Sequence, residues 1–447
     1  MGNTSLMKTT TLGFQHVCVM YGGAVAVPII VAHAIGLTQQ QLVYLISFDL
    51  LACGVATLIQ VIGGKHIGIK LPVLMAVSFI VVEPAIAIGK IYSITGVFGA
   101  VIVSGLIITL SAPLIGKLVK FFPPIVSGSV ILIIGISLMP VAMNNAAGGA
   151  NSPTFGEPKN LILAVFTLIC FLIINTLFKG FIKVVSILLA LIIGTVAASF
   201  FGLVDFSVFN EAKWLNIPRP FYFGAPTFQL SSIIAMTIIS FIIAIESIGV
   251  FFALGEFTNK EIGENDVKKG LRAEGLGSFI SGFFNSFNHS TFSQNVGLVL
   301  LTKVTQLKVL IAAGGILILL GLVPKVAALT TMIPAPVLGG AMVPMFGMLI
   351  SAALKMISSE NLSLPSNQLI IAVGVGIGIA IKGVPASFEQ FPDTIRLIFG
   401  NGVVMGSLVL ILLNVILNGI NGPRHTDHVP SNANAMNMEQ KAVSGDS

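Results

Sequence analysis

Three features of the sequence predict an all-α polytopic membrane protein of fourteen spans, arranged as two inverted repeats of seven. Hydrophobic residues make up 55% of the 447 positions and charged residues only 9%, against about 25% charged in soluble domains. Apolar runs near the length that crosses a bilayer recur from one end of the chain to the other. A segment marked by Pro and Gly returns half a chain later, as does an unusual interrupted span.

In chain order the spans fall at 11–33, 41–62, 68–88, 93–114, 124–141, 160–178, 181–203, 230–254, 273–287, 290–302, 306–324, 334–355, 367–383 and 399–418. The third and tenth are short or irregular. An even number places both termini on one side. Lys and Arg choose that side. With the termini in the cytoplasm, inner segments hold 16 of the 23 basic residues and outer segments 7. The formal net charge of +6 therefore reflects inner loops and not a nucleic-acid surface.

The repeat is carried by KFFPPIVSGSV (120–130) and TMIPAPVLGGAM (331–342), with Pro124 matching Pro336 and Gly128 matching Gly340 at an offset of 212. Ser78-Phe79 and Ser293-Gln294, in the two irregular spans, lie 215 apart. Seven spans per half is odd, so the halves have opposite orientation, as in secondary transporters. Short, interrupted segments at corresponding places in two halves point to a binding site.

Between the spans, 204–229 reads as a structured outer cap with the single Trp, Trp214. The charged segment 255–272 reads as a surface helix at the lipid headgroups. The tail, 421–447, lacks an apolar run and reads as disordered. Lys8 precedes an apolar run that is too long for a signal peptide and has no small-residue cleavage site. Cys18, Cys53 and Cys170 are scattered in apolar segments and read as buried packing residues.

The polar residues inside spans carry the functional reading, because lipid offers them no hydrogen-bond partner. HSTFSQNVGLVLLTK (289–303) packs Ser290, Thr291, Ser293, Gln294, Asn295 and Thr302 between apolar runs. It reads either as a surface loop or as a broken helix lining a midplane site. Glu246 stands in FIIAIESIGVFFA with no basic residue in its span, so it asks for a function. Glu274 follows Arg272, where an ion pair or a helix-start acid competes with a functional role. Asp49 suits a hydrogen bond to a neighbouring helix as well as transport, and Glu83, before Pro84, suits a structural role. Gln15-His16 opens the first span and suggests an inner network, with a backbone carbonyl as the plainer partner for His16. The other histidines form no set. No HExxH, GxSxG, Cys/His cluster or Walker A sequence occurs, so no metal, cofactor, catalytic residue or ATP-driven step is expected.

SQNVGLVLLTK (293–303) resembles the signature of the nucleobase-ascorbate transporters, Q/E-N-x-G-x-x-x-x-T followed by Arg, Lys or Gly, through Gln294, Asn295, Gly297, Thr302 and Lys303. Gln15-His16, the Glu246 position and RAEGL (272–276) are similar to that family as well. Across nearly the whole chain the likeness is strongest to bacterial xanthine permeases, in FFPPIVSGSVILIIGISLMPVAMNNAAGG (121–149), RPFYFGAP (219–226) and VLGGAMVPMFGM (337–348).

The resemblance implies a proton-coupled xanthine symporter of the cytoplasmic membrane, a homodimer working by alternating access. It implies a core domain (1–114 and 230–324) and a gate domain (115–203 and 325–420), with short extended segments in spans 3 and 10. It implies substrate contacts from Glu246, Gln294, Phe79 and Ser293. Glu274, His16, Gln15 and Asn295 would supply proton coupling or the surrounding network. Family members often carry Asp at the Glu274 position; Glu keeps the charge and lengthens the reach.

The chemistry agrees. A carboxylate only accepts, so Glu246 can take ring N–H groups, and a carboxamide both donates and accepts, so Gln294 can read a mixed edge. Phe79 offers a face to any base. The uracil branch of the family tends to carry Glu where this chain has Gln294, which favours a purine. The alternatives are a urate or uracil symporter, or an anion transporter or channel of the same fold.

Overall fold

The computed structural model describes residues 6–118, 122–149 and 152–419. The expected disordered tail lies outside the described residues. The chain is helical almost throughout. It begins with α1 (Leu6–Ala24), α2 (Ala26–Ile35) and α3 (Gln39–Ile62). Next come β1 (Met75–Val77), a single 3-10 turn (Phe79–Val81) and α4 (Val82–Leu118). Then follow α5 (Pro124–Ala146), α6 (Pro158–Leu177), α7 (Phe181–Val184), α8 (Ser186–Phe200) and α9 (Ser207–Glu211). The second half opens with α10 (Leu230–Phe257), α11 (Glu264–Phe283), β2 (His289–Thr291) and α12 (Ser293–Thr302). It closes with α13 (Leu307–Gly321), α14 (Pro324–Thr331), α15 (Ala335–Ile357), α16 (Pro365–Gly383), α17 (Asp393–Phe399) and α18 (Gly402–Asn418).

Among the described residues, eight helices are long and apolar enough to cross a membrane, or up to ten if each of two sharply bent pairs is one span. Several expected spans are instead built from shorter pieces. The first is divided at Val25, where the bonds Val25 N to Tyr21 O and Ile29 N to Val25 O stretch to 3.4 Å. Pro28 lacks an N–H and its ring crowds the preceding turn, which accounts for the weakened helix bonding there. The third and fourth spans form one long helical element, interrupted at Ser93 by a non-helical φ of 63°. Beyond the eleventh span the chain turns by 80° at a break before Pro324 and adds α14, a helix the hydropathy pattern had not separated.

The surface helix expected at 255–272 does not form. α10 continues to Phe257, a turn follows, and 264–272 is the opening of α11. Its charges suit a helix start: Glu264 and Asp266 lie in the first turn, where the helix dipole favours acids. Asp266 Oδ2 accepts from Gly263 N at 3.3 Å. Lys268 pairs with Glu264 at 2.7 Å and Lys260 with Asp266 at 3.5 Å. At 204–229 the described chain holds only the short α9. It is tied down by Lys325, whose Nζ donates to Phe209 O at 2.8 Å and lies over the Trp214 ring.

The two short strands are what positions the site. β1 and β2 pair antiparallel, with Met75 opposite Thr291, Ala76 opposite Ser290 and Val77 opposite His289. Phe292 N to Leu74 O at 2.9 Å and Ser78 N to Asn288 O at 3.2 Å extend the ladder at both ends. All six strand residues are buried. Backbone groups with no helix to satisfy them must pair with each other at this depth, and the ladder does that. Pro72 just before β1, and Asn285 with φ 60° before β2, keep the approaching chain out of helix.

Helix packing falls into two groups. α4 lies along α11 and α10, and α3 along α13, with α1 against α13. α15 lies along α5 and α6, and α16 along α18, with α8 against α6. Small residues allow the close approach, as is common between membrane helices. A Cβ on Gly275 would lie 2.5 Å from Thr109 N, and one on Gly54 would lie 2.6 Å from Gly314 O.

Candidate functional site

Where the strand pair gives way to helix, the 3-10 turn after β1 and the start of α12 after β2 open onto one narrow cleft. The first contributes Ser78 and Phe79, the second Ser293 and Gln294. Glu246, in the middle of α10, lines the same cleft, and Ile131, Ile134 and Leu349 of α5 and α15 face it. The free space is little more than a water's width. All four residues expected to touch substrate, Glu246, Gln294, Phe79 and Ser293, thus meet in one place.

Ser293 Oγ donates to Gln294 Oε1 at 3.2 Å, which steadies the carboxamide and leaves its NH2 to donate. Glu246 is half-buried and belongs to no ion pair among the described residues. Phe79 is 8% exposed and meets the ring of Phe346 edge-on, with centroids 5.8 Å apart. The cleft therefore offers an acceptor-only group, a mixed donor and acceptor, and an aromatic face. That set matches a planar heterocycle with N–H and C=O groups side by side.

The other expected residues lie elsewhere. Glu274 is buried ten residues into α11, in reach of Ser247 and Thr291, and lines a separate small cavity with Asn288 and His289. Neither of its plainer readings stands. Arg272 donates instead to His66 O at 3.4 Å, and the helix starts at Glu264. The second oxygen of Glu274 has no hydrogen-bond partner among the described residues. His16 Nδ1 lies 2.5 Å from Asn295 Oδ1, both groups buried. The network around His16 therefore runs through Asn295, 279 positions away, and Gln15, half-buried, takes no part in that bond. The contact ties α12 to α1 immediately beside Gln294. Thr302 Oγ1 donates to Leu298 O at 2.8 Å, and Lys303 ends the helix at φ 55°.

Asp49 and Glu83 both take structural partners. Asp49 accepts from Ser286 Oγ. Glu83 forms an ion pair with Lys382. The fold also assembles a group that sequence reading missed. Asp49, Cys53 and His289, all buried, place their polar atoms within 4.8 Å of one another. His289 Nε2 lies 3.2 Å from Cys53 Sγ, and its Nδ1 lies 2.8 Å from Ser281 Oγ. Cys53 is therefore part of a polar cluster and not simple packing, and the histidines are not all isolated. Asp49 and Cys53 are four apart on one helix, a spacing that puts them on one face, but nothing local points to His289. The strand residues Ser290 and Thr291 also line the cleft, and Thr291 N donates to Ser247 Oγ at 3.2 Å.

A buried polar cleft where short helices meet across two extended segments is an arrangement found in secondary transporters. Residues 7–387 match the family model Xan_ur_permease, described as "Permease family". The chain is 48% identical over 409 residues to the nucleobase transporter PlUacP of Paenibacillus larvae, covering 92% of this chain and 94% of that one. It is 49% identical to the uric acid permease PucK of Bacillus subtilis, over 91% of this chain and 95% of that one. It is also 49% identical to a xanthine permease of the same organism, over 92% and 94%. The chain belongs to this permease family, the nucleobase-ascorbate transporters. Its fold is like that of the transmembrane domain of the cyanobacterial bicarbonate transporter BicA, with a TM-score of 0.63 at 16% identity, over 88% of this chain and 97% of that one. It is also like murine Slc26a9, an anion transporter in the inward-facing state, at 0.62 and 11%, over 94% and 70%.

Proposed function

We propose that this protein takes up xanthine across the cytoplasmic membrane together with a proton, by alternating access. The observation that carries this reading is the single cleft shared by Glu246, Gln294, Ser293 and Phe79. Glu246 accepts ring N–H groups, Gln294 reads an adjacent N–H and C=O, and Phe79 covers a ring face. Relatives named for nucleobase, uric acid and xanthine transport support purine transport. Equal identity to a uric acid and a xanthine permease leaves urate as the second substrate reading.

The cleft is too narrow for a purine as it stands, so its two sides must part. One side comes from the strand pair, α10 and α12. The other comes from α5 and α15, which belong to the other packing group. We read the first group as the core domain and the second as the gate, in a 7+7 layout of fourteen spans with cytoplasmic termini, assembled as a homodimer. A proton carried on Glu246 or Glu274 would couple uptake to the membrane potential, worth roughly 2.3 kcal/mol per charge per 100 mV.

Uptake of labelled xanthine should collapse with an uncoupler. Unlabelled urate, uracil and guanine as competitors rank the substrates. Glu246→Gln and Gln294→Ala should each lose uptake by about tenfold or more while still reaching the membrane, the cost of a charge-assisted or buried polar contact. Wild-type uptake and affinity in both variants would sink the site. The anion-transporter reading has the likeness in fold, but a carboxylate in the cleft opposes it. Chloride or sulfate currents without any nucleobase transport would revive it.

A further inference from the structure

We infer that a second site for the transported base lies just beyond the cleft, toward Lys303, with Lys183 as the cation that receives the base in its anionic form. The inference rests on the purine reading of the cleft. A larger passage shares Phe79, Phe292 and Gln294 with that cleft or its rim and continues along α12 to Leu301. Gln294 therefore borders both spaces, and a ring released from it has this passage as its nearest larger cavity.

The passage walls differ chemically from those of the cleft. Met345 and Met348 offer soft apolar surface on one side. Asn175, Lys183 and Ser186 offer hydrogen-bond donors on the other. Asn175 Nδ2 donates to Ser186 Oγ at 3.2 Å, and the Ser186 side chain is buried at 2% exposure. That bond fixes the amide and leaves its second N–H hydrogen to point elsewhere. Lys183 is exposed and forms no ion pair among the described residues.

The two sites are thus opposite in sign. The cleft presents the Glu246 carboxylate, which favours the neutral, N–H-rich form of a base. The passage presents an ammonium, which favours carbonyl oxygens and the anion. Oxidised purines lose a ring proton near neutral pH. A base that releases this ring proton to water in the passage becomes an anion, which an ionised Glu246 repels and Lys183 attracts, so deprotonation and release are linked by electrostatics. The site would favour purines with two or three ring carbonyls over bases that stay neutral.

The test uses the full-length protein in liposomes, preloaded with labelled xanthine, in mildly acid and mildly alkaline buffer. Efflux rate and equilibrium xanthine binding are measured for wild type, Lys183→Met, Lys183→Arg and Asn175→Asp. In alkaline buffer Lys183→Met should slow efflux roughly tenfold relative to wild type, the scale of one charge contact at a partly solvated site. In acid buffer the same variant should stay within about twofold of wild type, as should its binding affinity. Lys183→Arg should preserve the rate, and Asn175→Asp, which puts an acid in the same passage as Lys183, should reproduce the alkaline deficit. Unchanged alkaline efflux or an equal loss in both buffers overturns the second site while leaving the cleft intact. A wild-type protein that neither binds nor moves xanthine or urate overturns the cleft reading, and the second site with it.

Discussion

The ion pair between Glu83 and Lys382 joins the two packing groups, since Glu83 begins α4 and Lys382 lies in the last turn of α16. Glu83→Gln keeps the shape of the side chain and removes its charge. At an effective dielectric of 20, two charges about 4 Å apart attract by about 4 kcal/mol. The side chains are 11% and 33% exposed for Glu83 and Lys382 respectively. The pair is therefore neither a surface pair, worth up to about 1 kcal/mol, nor a fully buried one, whose breakage costs about 3–5. Discounting for the solvent at Lys382 leaves about 1–2 kcal/mol. Thermal unfolding of the purified wild type, Glu83→Gln, Lys382→Met and the double variant gives a cycle whose coupling term should have that size. The charge-swapped variant, Glu83→Lys with Lys382→Glu, should recover most of the loss. Because the pair bridges the groups that must part, the single variants should also label faster with a thiol reagent at an engineered cysteine placed beside it. Additive losses in the cycle, with unchanged labelling, would refute the claim that this contact holds the two groups together.

Two more outcomes follow from the packing around the site. Asn295→Ala leaves the buried His16 imidazole without its partner and should cost about 1–3 kcal/mol of stability; it should also weaken base affinity, because α12 loses its tie to α1 beside Gln294. Unfolding and binding measured together check both, and unchanged values would show that the contact does not position α12. Gly275→Leu drives a side chain into the α4 backbone, where even a Cβ would stand 2.5 Å from Thr109 N. Overpacking costs typically about 1–3 kcal/mol, and the variant should be lost from the membrane fraction. Normal accumulation would show that α11 and α4 can separate there.

The membrane class, most of the long spans, and the unusual polar residues Glu246 and Gln294 were readable in the sequence from local signals, whereas Phe79 and Ser293 were expected only from the family resemblance; all four line one cleft. Lipid imposes long apolar runs, so Glu246 and Gln294 stand out as costly exceptions, and the signature at 293–303 marks one arm of the cleft. The repeat offset pointed at the right pair of segments as well: β1 starts at 75 and β2 at 289, close to half a chain apart.

Helix breaks that depend on neighbours were less legible. Hydropathy cannot separate a headgroup helix from the charged first turns of a longer helix, so 264–272 read as a surface segment although it opens α11. The same limit hid the 80° turn into α14, since both pieces are apolar.

Only the folded chain decided which polar groups meet. The strand register sets Ala76 against Ser290, His16 finds Asn295 rather than Gln15, and Asp49 finds Ser286, 237 positions away. Glu274, two residues from Arg272 in sequence, turns away from it to face Ser247 and Thr291. A buried polar side chain inside a membrane must find a partner, and the sequence shows that need. Which partner answers it depends on helix rotation and on close approach at small residues, and those are settled by packing across the whole bundle.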